Sequence, residues 1–222
     1  MYKIVEKFVS INGEGKKGGE LAVFIRFKGC NLNCSYCDTK WANKDDAVFE
    51  SMTKEEIYDY IKKTNVKNVT LTGGEPLIQE NILKLIDFLL KDELIELEIE
   101  TNGSVDISLF RENISSKRLS FTIDYKSISS GMNKYMFLDN LKYVRNNDTV
   151  KFVCGSDEDL LDMYFVIKKY KLDLTTSVYI SSVFGEIKPK RIVEFMIDKN
   201  LNNVRFQIQM HKIIWQPDMI GV

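Results

Sequence analysis

Several absences narrow what this chain can do. Its 31 basic and 32 acidic residues leave a net charge of −1, too weak a global field to hold a polyanion, so a small-molecule ligand is expected and nucleic acid is not. No uninterrupted apolar run reaches the length of a bilayer span, and Met1-Tyr2-Lys3-Ile4-Val5-Glu6-Lys7 lacks the apolar segment of a secretory signal. The expectation is therefore no membrane partner and a cytoplasmic location, where reducing conditions keep cysteines as thiols. With three prolines in 222 residues and no linker, repeat or low-complexity tract, the chain reads as one domain over residues 1–222, long enough to bury a large core. Histidine occurs once, as His211, and cysteine four times.

The scarce cysteines are not scattered. Cys30, Cys34 and Cys37 fall within eight positions, in Cys30-Asn31-Leu32-Asn33-Cys34-Ser35-Tyr36-Cys37-Asp38-Thr39, a clustering that packing does not require. A structural zinc site needs four ligands, and neither Cys154 nor His211 is near in sequence. Three thiolates can instead hold an iron–sulfur cubane and leave one iron open to an outside ligand. The first interval is also wider than the Cys-x2-Cys knuckle common at zinc sites. Spacing favours the iron–sulfur cluster; zinc, a disulfide and three unrelated buried thiols stay open as alternatives. Cys154 reads as a small buried side chain at a strand end.

Periodicity places these residues in an α/β chain. Residues 3–10 read as a strand, and Ser10-Ile11-Asn12-Gly13-Glu14-Gly15 as a turn on two glycines. Leu21-Ala22-Val23-Phe24-Ile25-Arg26-Phe27 is nearly continuous in apolar character, as in a strand buried on both faces. The cation that interrupts it, Arg26, is either a salt-bridge partner at a strand end or a group aimed at an anionic ligand. Gly29 lets the backbone bend into the cysteine loop. Thr53-x-x-Glu56 forms a capping box for a helix over 53–63. A strand over 66–71 ends at Thr72-Gly73-Gly74-Glu75-Pro76, and Leu77 to Leu90 has helical spacing. Residues 95–100 alternate as a strand and turn at Thr101-Asn102-Gly103. Strands over 119–124, 149–154, 177–180 and 204–209 alternate with helices over 157–170 and 189–199, before a tail through His211, Trp215 and Pro217. Strands alternating with helices predict a parallel β/α architecture, and 222 residues are few for a closed eight-fold barrel. The expected fold is a partial, open parallel β/α barrel.

The Cys-x3-Cys-x2-Cys loop resembles the signature of the radical S-adenosylmethionine (SAM) enzymes, and Thr72-Gly73-Gly74-Glu75-Pro76 looks like that family's glycine-rich strand end. The resemblance implies a radical SAM domain with an N-terminal substrate loop and a C-terminal tail. It implies a [4Fe–4S] cluster on Cys30, Cys34 and Cys37, with SAM chelated by the open iron. One electron then cleaves the sulfonium to methionine and a 5′-deoxyadenosyl radical. Tyr36, Cys37 and Asp38 would line the SAM site and Gly74 would meet its methionine part.

A narrower resemblance runs through residues 8–39, 70–79 and 101–103 and returns at Gln209-x-His211-Lys212. It is to the radical SAM lyases that contract 6-carboxy-5,6,7,8-tetrahydropterin to a deazaguanine acid with loss of ammonia, on the route to queuosine, a modified nucleoside of tRNA. By position, Thr39 would help hold Mg²⁺, a hard ion that keeps its waters; its bland reading is a helix cap. Ile11, Asn12, Gly13, Glu14, Arg26, Thr72, His211 and Pro217 match substrate positions, with Arg26 on the carboxylate and Glu14 accepting from the pterin N–H groups. Asp124, Tyr125 and Lys126, and Ser182, match strand ends that meet SAM, although Asp-Tyr stands where Ser-Pro is common. Asn12 stands where glutamine is usual, and five residues follow Pro217. An electron donor such as flavodoxin or ferredoxin and a homodimer are further implications. The alternatives are a glycyl-radical-enzyme activase, which shares the cysteine loop, and a non-catalytic zinc-binding module.

Overall fold

In the computed structural model, which describes residues 1–216 and 219–222, the described residues form nine strands. They are β1 (Tyr2–Ile11), β2 (Leu21–Phe27), β3 (Glu50–Met52), β4 (Asn68–Gly73), β5 (Glu96–Thr101), β6 (Leu119–Tyr125), β7 (Thr149–Cys154), β8 (Ser177–Ser182) and β9 (Val204–Phe206). They form one sheet in the order β3-β1-β2-β4-β5-β6-β7-β8-β9. From β2 to β9 all neighbours are parallel, whereas β1 runs antiparallel to both β2 and β3. The sheet does not close on itself, so the open β/α barrel is what forms. The departure from a wholly parallel array is the β1–β2 hairpin, whose connection carries Asn12 to Gly15.

The helices α1 (Lys54–Thr64), α2 (Ile82–Leu90), α3 (Ser108–Asn113), α4 (Asp157–Tyr170), α5 (Leu172–Thr175), α6 (Pro189–Asp198) and α7 (His211–Ile214) mostly follow strands. The α1 capping box is formed: Thr53 Oγ1 accepts from the Glu56 N–H at 3.1 Å, and Glu56 Oε2 accepts from the Thr53 N–H at 2.7 Å. The helix stops where Asn65 takes a left-handed conformation, φ 56°. Its apolar stripe, Ile57 and Ile61, packs with Leu85, Ile86 and Leu89 of α2 against Leu97 and Ile99 of β5.

That packing sorts β5 by the two-residue pleat: Leu97 and Ile99 face the helices, and Glu98 and Glu100 face the interior of the barrel. A second apolar cluster repeats the arrangement with Val150 and Phe152 of β7, Val178 and Ile180 of β8, and Leu160, Met163 and Ile167 of α4. A buried ion pair braces the bottom of the sheet: Arg111 of α3 meets Asp148, whose Oδ1 also accepts from the Phe121 N–H at 2.8 Å.

Three expectations shift. The helix after the glycine loop starts at Ile82, because Pro76–Ile78 forms a separate 3₁₀ turn. The last strand is only Val204–Phe206. The tail beyond it holds α7, whose four residues are too few to show a helical period. No helix of the described residues is long and apolar enough to cross a membrane.

Candidate active site

A cavity of about 520 Å³ opens at the carboxyl ends of the parallel strands, lined by Arg26 from β2, Thr72 and Gly73 from β4, Glu100 and Thr101 from β5, Asp124 from β6 and Val153 from β7. In β/α folds this is the end that carries ligands. Cys30, Cys34 and Cys37 all line it, on the loop that follows β2.

Gly29, at φ +89°, makes the bend into that loop. The Ser35 N–H donates to the Ser130 carbonyl at 3.0 Å and the Ser35 hydroxyl to the Ser129 carbonyl at 2.7 Å, tying the loop to the turn after β6. Cys30 Sγ accepts from the Leu32 N–H at 3.4 Å and from Asn102 Nδ2 at 3.5 Å. Burial pushes the Cys30 thiol up from its ordinary pKa, and likewise Cys34, where the Lys126 ammonium opposes the rise. All four cysteines are free thiols, and Cys154 is wholly buried, which leaves no disulfide.

Among the described residues, no three His, Cys, Asp or Glu side chains converge as a single ion would require. Three soft thiols facing one cavity, with N–H donors already on one sulfur, fit a multi-iron cluster in which each thiolate takes a different iron.

The glycine loop is pressed against the cysteine loop. A Cβ on Gly74 would lie 1.8 Å from the Gly29 carbonyl oxygen, and one on Gly73, at φ +148°, 2.6 Å from the Phe27 backbone. Glycine is the residue type that allows so close an approach. The Gly74 N–H donates to the Phe27 carbonyl at 3.1 Å and the Glu75 N–H to that of Gly29 at 2.8 Å. Glu75 itself is fully buried: it accepts from the Leu77 N–H at 3.0 Å, the Thr101 hydroxyl at 2.8 Å and the Asn102 N–H at 2.7 Å. Burial raises its pKa to about 7 in spite of those donors.

The cavity gathers many of the residues singled out from sequence. Ile11, Gly13, Glu14, Arg26 and Thr72 line it, as do Tyr36, Asp38 and Thr39 of the cysteine loop, Gly74, Asp124, Lys126 and His211. Arg26 Nε donates to Glu6 Oε2 at 2.7 Å, so its salt-bridge reading is the one the structure shows; the residue also lines the cavity. Thr39 sits at the start of a 3₁₀ turn without capping it through its side chain. Its hydroxyl lies 3.5 Å from Cys37 Sγ instead. The His211 ring lies on the Gly13 backbone, where a Cβ would come within 2.4 Å of Nδ1. Burial lowers the pKa of His211, against the pull of Glu14 and Asp38.

Three expected positions fall outside the lining. Asn12 is buried behind the wall, its Oδ1 accepting from the Thr70 hydroxyl at 3.1 Å. Tyr125 points to the helix layer, where its hydroxyl donates to Asp162 Oδ2 at 2.9 Å, because Asp124 and Lys126 take the inward positions. Ser182 likewise yields to Val183 and Phe184. Pro217 lies outside the described residues, although Met219 to Val222 return to the cavity.

Sequence reasoning missed the groups that hold these in place. Lys151 Nζ donates to Glu14 Oε2 at 3.0 Å, Gln207 Nε2 donates to Glu14 Oε1 at 3.0 Å, and the Thr72 hydroxyl donates to Glu100 Oε2 at 2.8 Å. Burial works against charge on Lys151, but Glu14, Asp124 and Glu100 outweigh it and hold its pKa well above the usual lysine value. The signal was present in the sequence: a lone lysine inside the apolar strand Thr149–Cys154, and glutamates alternating with Leu97 and Ile99.

Comparison with known proteins agrees with this geometry. The model of the radical SAM superfamily matches residues 24–152. A 7-carboxy-7-deazaguanine synthase of Clostridium acetobutylicum is 53% identical over 221 residues, covering 100% of this chain and 99% of that protein. One from Methanospirillum hungatei is 34% identical, over 97% of this chain and 86% of that protein. The crystal structure of QueE from Escherichia coli shares the fold at a TM-score of 0.75 and 23% identity, over 95% of this chain and 94% of that one. With its thiols, its glycine loop and its full-length relatives in agreement, the chain belongs to the radical SAM superfamily, whose [4Fe–4S] cluster and SAM it takes as cofactors, and within it to the 7-carboxy-7-deazaguanine synthases.

Proposed function

We propose that the chain contracts the ring of 6-carboxy-5,6,7,8-tetrahydropterin to 7-carboxy-7-deazaguanine with loss of ammonia, as a step toward queuosine and other deazapurines. The observation that carries this reading is one cavity lined by the cysteine and glycine loops together with Arg26, Glu14 and His211. When bound, the reduced cluster and SAM supply a 5′-deoxyadenosyl radical.

The rest falls to this chain's residues. Arg26, oriented through Nε by Glu6, offers its remaining N–H groups to the substrate carboxylate. Glu14, steadied by Lys151 and Gln207, accepts from the amino and ring N–H groups of the pterin. Thr72 and His211 complete that wall, and Ile11 and Gly13 bring backbone and apolar surface to it. Tyr36, Asp38, Gly74, Asp124 and Lys126 border the SAM side. Positioning the carbon that bears the carboxylate against the cysteine loop, with water kept out, is the protein's catalytic contribution. Thr39, whose hydroxyl is free of a capping bond, would supply a hard oxygen to Mg²⁺ beside the substrate carboxylate. The chain acts as a single domain, as a cytoplasmic homodimer served by a flavodoxin- or ferredoxin-type electron donor.

Anaerobically reconstituted protein given SAM, Mg²⁺, a reductant and the pterin tests this. Release of the deazaguanine acid is expected, with Thr39→Ala raising the Mg²⁺ concentration required. An intact cluster that cleaves SAM but leaves the pterin unchanged would overturn the assignment.

A further inference from the structure

The inner face of the barrel carries a line of charges that joins the two sides of the cavity. Lys151 of β7 stands opposite Asp124 of β6 in the sheet register. Its Nζ lies 3.0 Å from Glu14 Oε2 and 4.0 Å from Asp124 Oδ2. Lys126 Nζ holds the same Asp124 oxygen at 2.9 Å, and Glu100 is the other carboxylate acting on Lys151. The Lys151 side chain is 11% exposed and Glu14 10%, so water screens this line poorly. Asp124 Oδ1 is buried with no donor among the described residues. One ammonium therefore serves two carboxylates, Glu14, proposed for the pterin, and Asp124, proposed for SAM.

We infer that Lys151 is a positioning residue that couples pterin binding to SAM binding by sharing its charge between Glu14 and Asp124. The inference rests on the proposed function and adds a relation between its two ligands. N–H donors of a pterin on Glu14 take over part of that carboxylate's compensation. The ammonium, already 4.0 Å from Asp124 Oδ2, then shifts its charge toward that carboxylate and firms the strand end at Asp124 and Lys126. Each ligand thus strengthens the other by the same factor, as linkage requires. No covalent step is involved.

The test is equilibrium dialysis of the pterin against anaerobically reconstituted protein with the cluster left oxidised, so that no turnover occurs, with and without SAM. In the wild-type chain SAM should tighten pterin binding about fivefold or more. In Lys151→Met, checked for folding by circular dichroism and for iron and sulfide per chain, pterin binding alone should weaken roughly tenfold. The effect of SAM on it should fall within twofold of none.

Should Lys151→Met not fold, Lys151→Gln, which still donates to Glu14 but carries no charge, reads the same coupling. Lys151→Arg, which keeps the charge, should restore it in part. A folded neutral variant that keeps the wild-type coupling, or a wild type in which SAM leaves pterin affinity unchanged, overturns the inference alone. A wild type that does not bind the pterin at all overturns the proposed function instead.

Discussion

Glu75 and Asn102 connect the two loops that build the cysteine side of the cavity. Glu75 Oε2 accepts the Asn102 backbone N–H at 2.7 Å, and the Asn102 side chain turns the other way to donate to Cys30 Sγ at 3.5 Å. A displacement of the glycine loop is thereby felt at the Cys30 sulfur through one residue.

Glu75 predicts a pH dependence of stability. Its carboxyl is raised to about 7 in the folded chain by burial, against about 4.3 when unfolded. A raised acid binds more protons folded than unfolded, so its contribution is full below the unfolded pKa and is lost as pH rises through the folded one. Urea unfolding should show stability declining between about pH 4 and 7, by a few kcal/mol from this group. Glu75→Gln, measured over the same range, should remove most of that slope.

Gly74→Ala should be severe, because the added methyl would sit 1.8 Å from the Gly29 carbonyl oxygen and no flexible side chain can yield. A loss at or above the upper end of ordinary overpacking, about 3 kcal/mol, is expected in the thermal midpoint. SAM binding should fall with it. A stable variant with wild-type SAM affinity would show that the two loops separate freely.

For Arg26, the prediction separates charge from shape. Arg26→Lys keeps the cation but loses the planar fork and its Nε bond to Glu6. A fall of about 10- to 100-fold in kcat/KM for the carboxylated pterin is expected, from charge-assisted bonds of about 1.5–3 kcal/mol. Binding of an analogue without the carboxylate should change little, which isothermal titration can check.

Arg111→Met tests the ion pair far from the cavity. The Arg111 side chain is 4% exposed and that of Asp148 is fully buried. Removing one partner strands a buried carboxylate, at about 3–5 kcal/mol. Chemical denaturation should register that loss while turnover per folded molecule stays unchanged.

Much of this fold could be read from periodicity, because its strands are either continuously apolar, as in Leu21–Phe27, or strictly alternating, as in Glu96–Thr101. The capping box identified Thr53 and Glu56 as the residues that cap α1, although the helix runs one residue later at each end than the expected 53–63. Short elements escaped: β3 has three residues and α7 four, too few to establish a period. The cysteine and glycine loops were legible because their residue types are dictated by ligation and by close backbone approach. Which neighbours of a motif face the cavity was harder. Asp124 and Lys126 line it while Tyr125 turns away, a choice made by the pleat of β6 rather than by residue chemistry. Lys151 was invisible as a partner of Glu14 since 137 positions separate them.

The bond from Gln207 to Glu14 spans 193 positions, and Gln207 Oε1 accepts in return from the Gly15 N–H at 2.8 Å. A single amide just past β9 therefore grips the β1–β2 connection, on the opposite margin of the open sheet. Loosening of either margin frees the other, so two edges that share no ladder bond fray together rather than one at a time.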